Sequence, residues 1–83
     1  MKQMNLDKYV KKEKLLIDLE YKLIETLINI RKEKHLSQRD LCKMIDMKQP
    51  YLVKIENKKV SPNLNTILKI LDALDCNLEI KSN

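Results

Sequence analysis

Three residues, Asp46-Met47-Lys48, separate two short amphipathic segments in this chain, and that spacing constrains its fold more than any other feature. The first segment opens at Ser37, a hydroxyl suited to cap a helix, with Asp40 three residues on in a pattern resembling a capping box. Leu41, Met44 and Ile45 give this segment an inward face, and it lasts barely two turns. The second segment runs from Gln49 to Glu56 and carries Pro50 in its first turn, where a missing N–H costs little. Three residues are too few to reverse the chain, so the two helices must cross at a steep angle.

The flanking sequence supplies what such a pair must pack against. Residues 15 to 34 read as a long helix, with Leu16, Leu23, Leu27 and Ile30 in one apolar row and Ile17, Tyr21, Ile24 and Ile28 in another. Burying one helix face needs an arc of only about 100°, and these rows cover nearly twice that, so the helix is expected to touch a second partner. Arg31 falls inside the arc, where an unpaired guanidinium is costly to desolvate, and the chain must provide a buried acid for it. Beyond the polar stretch 57–61, Pro62 blocks continuation and Asn63 can cap a helix carrying Leu64, Ile67, Leu68, Leu71 and Leu74, ending near Asp75. Leu78-Glu79-Ile80-Lys81 alternates with period two and predicts a short strand, which needs a copy of itself across a two-fold axis to complete its hydrogen bonds.

With no Phe, no Trp and three Tyr, the core must be built from Leu, Ile and Met, which suits helices better than a sandwich. The expected fold is all-α, a bundle of about five helices with a short C-terminal strand pairing across a dimer. Residues 1–22 form a helical extension in which Asn5 caps Leu6, Tyr9 and Val10; residues 23–75 form the central domain, and 76–83 the strand and tail. Cys42 and Cys76 follow no metal-ligand spacing and read as buried apolar groups.

Lys and Arg outnumber Asp and Glu by 17 to 12, a net charge of +5 that favours a polyanionic partner. The excess is placed unevenly: residues 37–61 carry six basic and three acidic side chains, residues 62–83 two and three. No run of about 18 apolar residues is present and the N-terminus lacks the pattern of a signal peptide, so a cytoplasmic location is expected. One histidine at a helix junction, no glycine loop and no clustered carboxylates leave no basis for an enzyme, a metal, a cofactor or a small-molecule ligand.

The segment 23–75 resembles the phage-repressor, or XRE, family of helix-turn-helix domains. The resemblance rests on Arg31, Leu-Ser-Gln at 36–38, Gln-Pro-Tyr-Leu at 49–52, Ile-Glu-Asn at 55–57 and Ser-Pro-Asn-Leu at 61–64, in order and at family spacing. It implies that Arg31 pairs with Glu56, and that Lys48, Gln49, Pro50 and Lys54 face DNA. The chain departs from the family in lacking glycine altogether; His35, Asp46, Lys58 and Asp75 stand where glycine usually ends a helix in the left-handed conformation. Lys is the least suited of these to positive φ, and Asn57 beside it is expected to take the turn instead.

The chemistry of these positions fits DNA. The Gln49 amide can pair donor and acceptor with adenine, Lys54 can reach guanine or a phosphate, and Pro50 and Tyr51 offer apolar surface to a thymine methyl. Gln38 can bring donors to a phosphate at the start of its helix, and Asn57, Lys58 and Lys59 are expected to grip the backbone beyond the recognition helix. One monomer reads few base pairs, so a homodimer on two half-sites of operator DNA is expected.

The layout of helical extension, DNA-binding domain and Leu-Glu-Ile strand also looks like HigA-type antitoxins. That resemblance implies a protein that neutralises a RelE-like ribonuclease toxin and represses its own operon, with Leu6, Tyr9, Val10 and Leu16 contacting the toxin. The alternative is a stand-alone phage- or plasmid-type repressor with no toxin partner.

Overall fold

The computed structural model describes residues 6–82, with side chains from Glu13 onward. It contains four helices: α1 (Leu6–Glu33), α2 (Gln38–Ile45), α3 (Gln49–Glu56) and α4 (Leu64–Ala73). Among the described residues there are therefore four helices where about five were expected, because the extension from Leu6 and the long helix are one element. Nothing between Leu6 and Glu33 breaks it, since the chain has no glycine and its two prolines lie at 50 and 62. At 28 residues α1 is about 42 Å long, far more than the short helices beside it can cover. The proposed cap at Asn5 lies outside the described residues.

Local signals fix the other helix starts. Ser37 Oγ accepts from the Asp40 N–H at 3.0 Å while the Ser37 N–H donates to Asp40 Oδ2 at 2.9 Å, a complete capping box. Asn63 Oδ1 accepts from the Thr66 N–H at 2.9 Å and starts α4 directly after Pro62.

All four helices end in the same way. His35, Asp46, Lys58 and Asp75 adopt positive φ, at 56°, 52°, 61° and 55°. The residue after each donates back five positions: Leu36 to Arg31 O, Met47 to Cys42 O, Lys59 to Lys54 O and Cys76 to Leu71 O, at 2.8–3.1 Å. These are Schellman-type ends built without glycine. Asn57 keeps φ −87°, so Lys58 and not Asn57 takes the left-handed turn after α3.

The core joins Ile24 and Leu27 of α1, Leu41 and Cys42 of α2, Leu52 and Ile55 of α3, and Ile67, Ile70, Leu71 and Leu74 of the α4 region. The void among them is about 10 Å³, no more than one water needs, so the interior is closely filled. Several expected core positions point elsewhere. Met44 is 55% exposed, whereas Cys42 is buried as expected; Leu64 and Leu68 are exposed while Ile70 is buried. Leu16, Ile17 and Tyr21 are exposed with Leu15 and Leu19, because α1 runs past the end of the core. Cys42 and Cys76 are free thiols, and burial pushes the Cys42 thiol up.

The expected strand at 78–81 is absent among the described residues: Leu78 to Lys81 is irregular, with Ile80 almost fully exposed. A strand has no regular structure without a neighbour to accept and donate its backbone hydrogen bonds, and a single chain offers none here.

Candidate nucleic-acid interface

The step from α2 to α3 is set at Asp46, whose left-handed backbone (φ 52°, ψ 49°) ends α2 and lets the chain turn within three residues into α3. Leu52 and Ile55, each 1% exposed, anchor one side of α3 in the core. The opposite side presents Lys48, Gln49, Pro50, Tyr51 and Lys54 outward. No side chain caps α3 at Lys48, Pro50 has no N–H, and the Tyr51 N–H turns back to Lys48 O at 3.0 Å. The Gln49 amide side chain thus stands at a helix start with no intramolecular competitor among the hydrogen bonds of the described residues.

A buried charge network holds this helix in place. Arg31, 7% exposed, donates from Nε to Glu56 Oε2 at 2.8 Å and from Nη2 to Glu56 Oε1 at 2.9 Å, a bidentate pair between α1 and the last residue of α3. Its Nη1 donates to Leu36 O at 2.8 Å, which ties in the α1–α2 turn. Gln38 Nε2 donates to Glu56 Oε1 at 2.8 Å and brings in the first residue of α2. Among the described residues no buried side-chain nitrogen or oxygen is left without a partner, which is the condition under which a buried ion pair stops being a penalty.

This geometry sorts the sequence-derived DNA positions. Lys48, Gln49, Pro50, Tyr51, Lys54, Asn57 and Lys59 are all exposed at or beside α3. Gln38 is different, because its amide nitrogen is committed to Glu56, leaving its carbonyl oxygen to point elsewhere. Lys58 departs further: its ammonium pairs with Glu25 of α1 and sits 5.1 Å above the Tyr21 ring, so it is turned toward α1 and away from the outer face of α3. Three basic residues were missed. Arg39 and Lys43 line a shallow concavity with Gln49, and Lys69 lines a neighbouring one with Lys48 and Tyr51. Arg39 and Lys43 are four residues apart, so their shared outward face was readable once Leu41 and Ile45 were assigned inward. Lys69 could not be found in that way, since its nearness to α3 depends on how α4 packs.

A helical bundle in which two short helices joined by three residues expose a basic, amide-bearing face is the architecture of a helix-turn-helix DNA-binding domain. The chain belongs to the helix-turn-helix family HTH_3, whose model matches residues 27–81. It is similar to an uncharacterized HTH-type transcriptional regulator of Haemophilus influenzae, with 36% identity over 63 residues that cover 76% of this chain and 64% of the relative. It is also similar to the ImmF control region 10 kDa protein of Bacillus phage phi105, with 36% identity over 50 residues, 60% of this chain and 56% of the relative. The chain thus spans somewhat under two thirds of the length of each of these relatives. No solved structure matches it significantly. Among the described residues, no helix is long and apolar enough to cross a membrane.

Proposed function

We propose that this chain is a sequence-specific transcriptional repressor that binds operator DNA as a homodimer, with α3 entering the major groove. The observation that carries this is the division of α3: Leu52 and Ile55 are sealed in the core, and Lys48, Gln49, Pro50, Tyr51 and Lys54 are all exposed on the other side. In this reading Gln49 reads adenine, Lys54 reaches guanine or a phosphate, and Pro50 and Tyr51 meet a thymine methyl. Lys48, Asn57 and Lys59, joined by Arg39 and Lys43, hold phosphates and fix the register. Gln38 contributes its backbone N–H at the start of α2, since its side chain supports Glu56. The names of the two relatives, a transcriptional regulator and a phage control-region protein, support a regulatory role.

A second reading, the self-repressing antitoxin, is favoured by one observation: Leu15, Leu16 and Leu19 of α1 are each more than half exposed, an apolar surface that the core does not use. In that reading a ribonuclease toxin packs on α1 around Leu16. The other residues assigned to it, Leu6, Tyr9 and Val10, have side chains outside the described residues. Co-purification with the product of a neighbouring gene, lost on Leu16→Asp while DNA binding persists, separates this reading from the stand-alone repressor.

The DNA reading is tested by fluorescence anisotropy on the chain's own upstream DNA against scrambled sequence, over a salt series. Gln49→Ala is expected to cost roughly 1–3 kcal/mol of sequence preference with little change in salt dependence. Lys54→Gln is expected to weaken binding and to reduce the salt slope by about one if it holds a phosphate. Equal binding to both sequences by the wild-type protein refutes the assignment.

A further inference from the structure

Lys58 takes left-handed backbone at φ 61°, a conformation glycine adopts freely and from which lysine gains nothing. Its own N–H donates to Ile55 O at 3.0 Å and the next N–H, of Lys59, to Lys54 O at 2.9 Å, so Lys58 is the hinge of the turn that closes α3. From that hinge its side chain crosses to α1. The ammonium meets Glu25 Oε1 and lies 5.1 Å from the centre of the Tyr21 ring, one turn before Glu25 on the same helix face. No other side-chain hydrogen bond among the described residues ties the α3–α4 loop to α1, because the Arg31–Glu56 pair fastens α3 itself.

We propose that Lys58 is a positioning residue: anchored on Glu25 and Tyr21, it fixes the turn after α3, and with it the setting of Asn57, Lys59 and the recognition helix against DNA, and does not itself contact phosphate. The proposal rests on the DNA-binding reading above. Sequence logic points the other way, since a lysine just past a recognition helix in a basic chain reads as a phosphate contact. The two roles differ in the sign of one measurable effect. Glu25 is an acidic group on a protein that binds a polyanion, so by charge alone its neutralisation strengthens binding, and more so if it releases Lys58 to reach a phosphate. If Lys58 acts through its anchor, the same neutralisation weakens binding.

The experiment compares wild type, Glu25→Gln, Lys58→Gly and Lys58→Arg for affinity to upstream and scrambled DNA across salt, with thermal unfolding and amide exchange of residues 56–60 measured alongside. Lys58→Gly relieves the positive-φ cost while removing the anchor, so it tests the tether without the confusion of an unfolded variant. For a pair whose side chains are 26% and 61% exposed, a roughly two- to five-fold loss of upstream affinity is expected for both Glu25→Gln and Lys58→Gly, with the salt slope unchanged, faster amide exchange in the turn and a melting temperature near that of wild type. Lys58→Arg, which keeps a cation for Glu25, restores affinity. A salt slope that falls by about one in Lys58→Gly, or an affinity that rises in Glu25→Gln, overturns the proposal in favour of a phosphate contact. Affinity and exchange left unchanged in both variants overturn it in favour of an idle surface pair. Wild-type protein without preference for upstream DNA fails the DNA reading itself, and this proposal falls with it.

Discussion

Glu56→Ala separates the buried network from every surface charge on the molecule. The substitution removes the carboxylate that takes two of the three hydrogen bonds of Arg31 and leaves the guanidinium with only Leu36 O. The side chains of Arg31 and Glu56 are 8% and 10% exposed, so water is poorly placed to replace the lost partner. Hydrogen bonds to charged groups contribute about 1.5–3 kcal/mol each, and two of them give about 3–6 kcal/mol. That agrees with the roughly 3–5 kcal/mol found when one member of a buried pair is deleted. For a domain of this size each kcal/mol shifts the melting temperature by about 4–8 °C, so a loss of at least 12 °C is expected. Circular dichroism on heating, and urea titration at constant m-value, measure it. The second arm is Arg31→Met with Glu56→Leu, which removes both charges and keeps apolar volume; it is expected to be markedly more stable than the two single losses added together. A melting loss below about 5 °C for Glu56→Ala, or strict additivity in the double variant, refutes the claim that this pair is a desolvated clamp.

Other expectations follow from packing and capping. Leu52→Ala, at 1% exposure beside a void of only about 10 Å³, is expected to cost about 2–5 kcal/mol in urea unfolding. Met44→Ala, at 55% exposure, should stay within about 0.5 kcal/mol in the same assay. The Ser37 N–H, and then its hydroxyl, hold the Asp40 carboxyl below its ordinary 3.8. A depressed carboxylate contributes stability that is complete above the ordinary value and is lost as pH falls through the lowered one. Far-UV circular dichroism from pH 6 to 2 should therefore show an acid loss of helix that is flattened in Asp40→Asn, and identical profiles would remove Asp40 from the cap. His35→Gly exchanges a positive-φ cost of about 1–2 kcal/mol for about 0.4–1 kcal/mol of extra unfolded-state freedom, so a small gain in stability is expected. A loss above about 1 kcal/mol would show that the imidazole makes a contact of its own.

What the sequence by itself determined lies within a few residues of chain. Ser37 with Asp40, and Asn63 after Pro62, start their helices through hydrogen bonds that close within one turn, and Pro50 starts α3 through its fixed φ. The family resemblance pointed to left-handed helix ends at His35, Asp46 and Asp75, and those formed; after α3 the turn was expected at Asn57 and fell to Lys58. The three-residue spacing at Asp46 then leaves only a steep crossing, which is why the class of fold was legible. Tertiary packing decided the rest. Periodicity on a two-turn helix cannot fix the edge of its buried face, and Met44, expected inward, is left exposed while Leu41 and Cys42 fill the core. The strand at 78–81 failed because backbone hydrogen bonds need a partner that local sequence does not contain. Gln38 gave its amide to Glu56, 18 residues away, and Lys58 its ammonium to Glu25, 33 residues away. Side chains that read as free to meet a phosphate are claimed inside the protein whenever folding brings a carboxylate within reach, and that distance is a property of the packed helices alone.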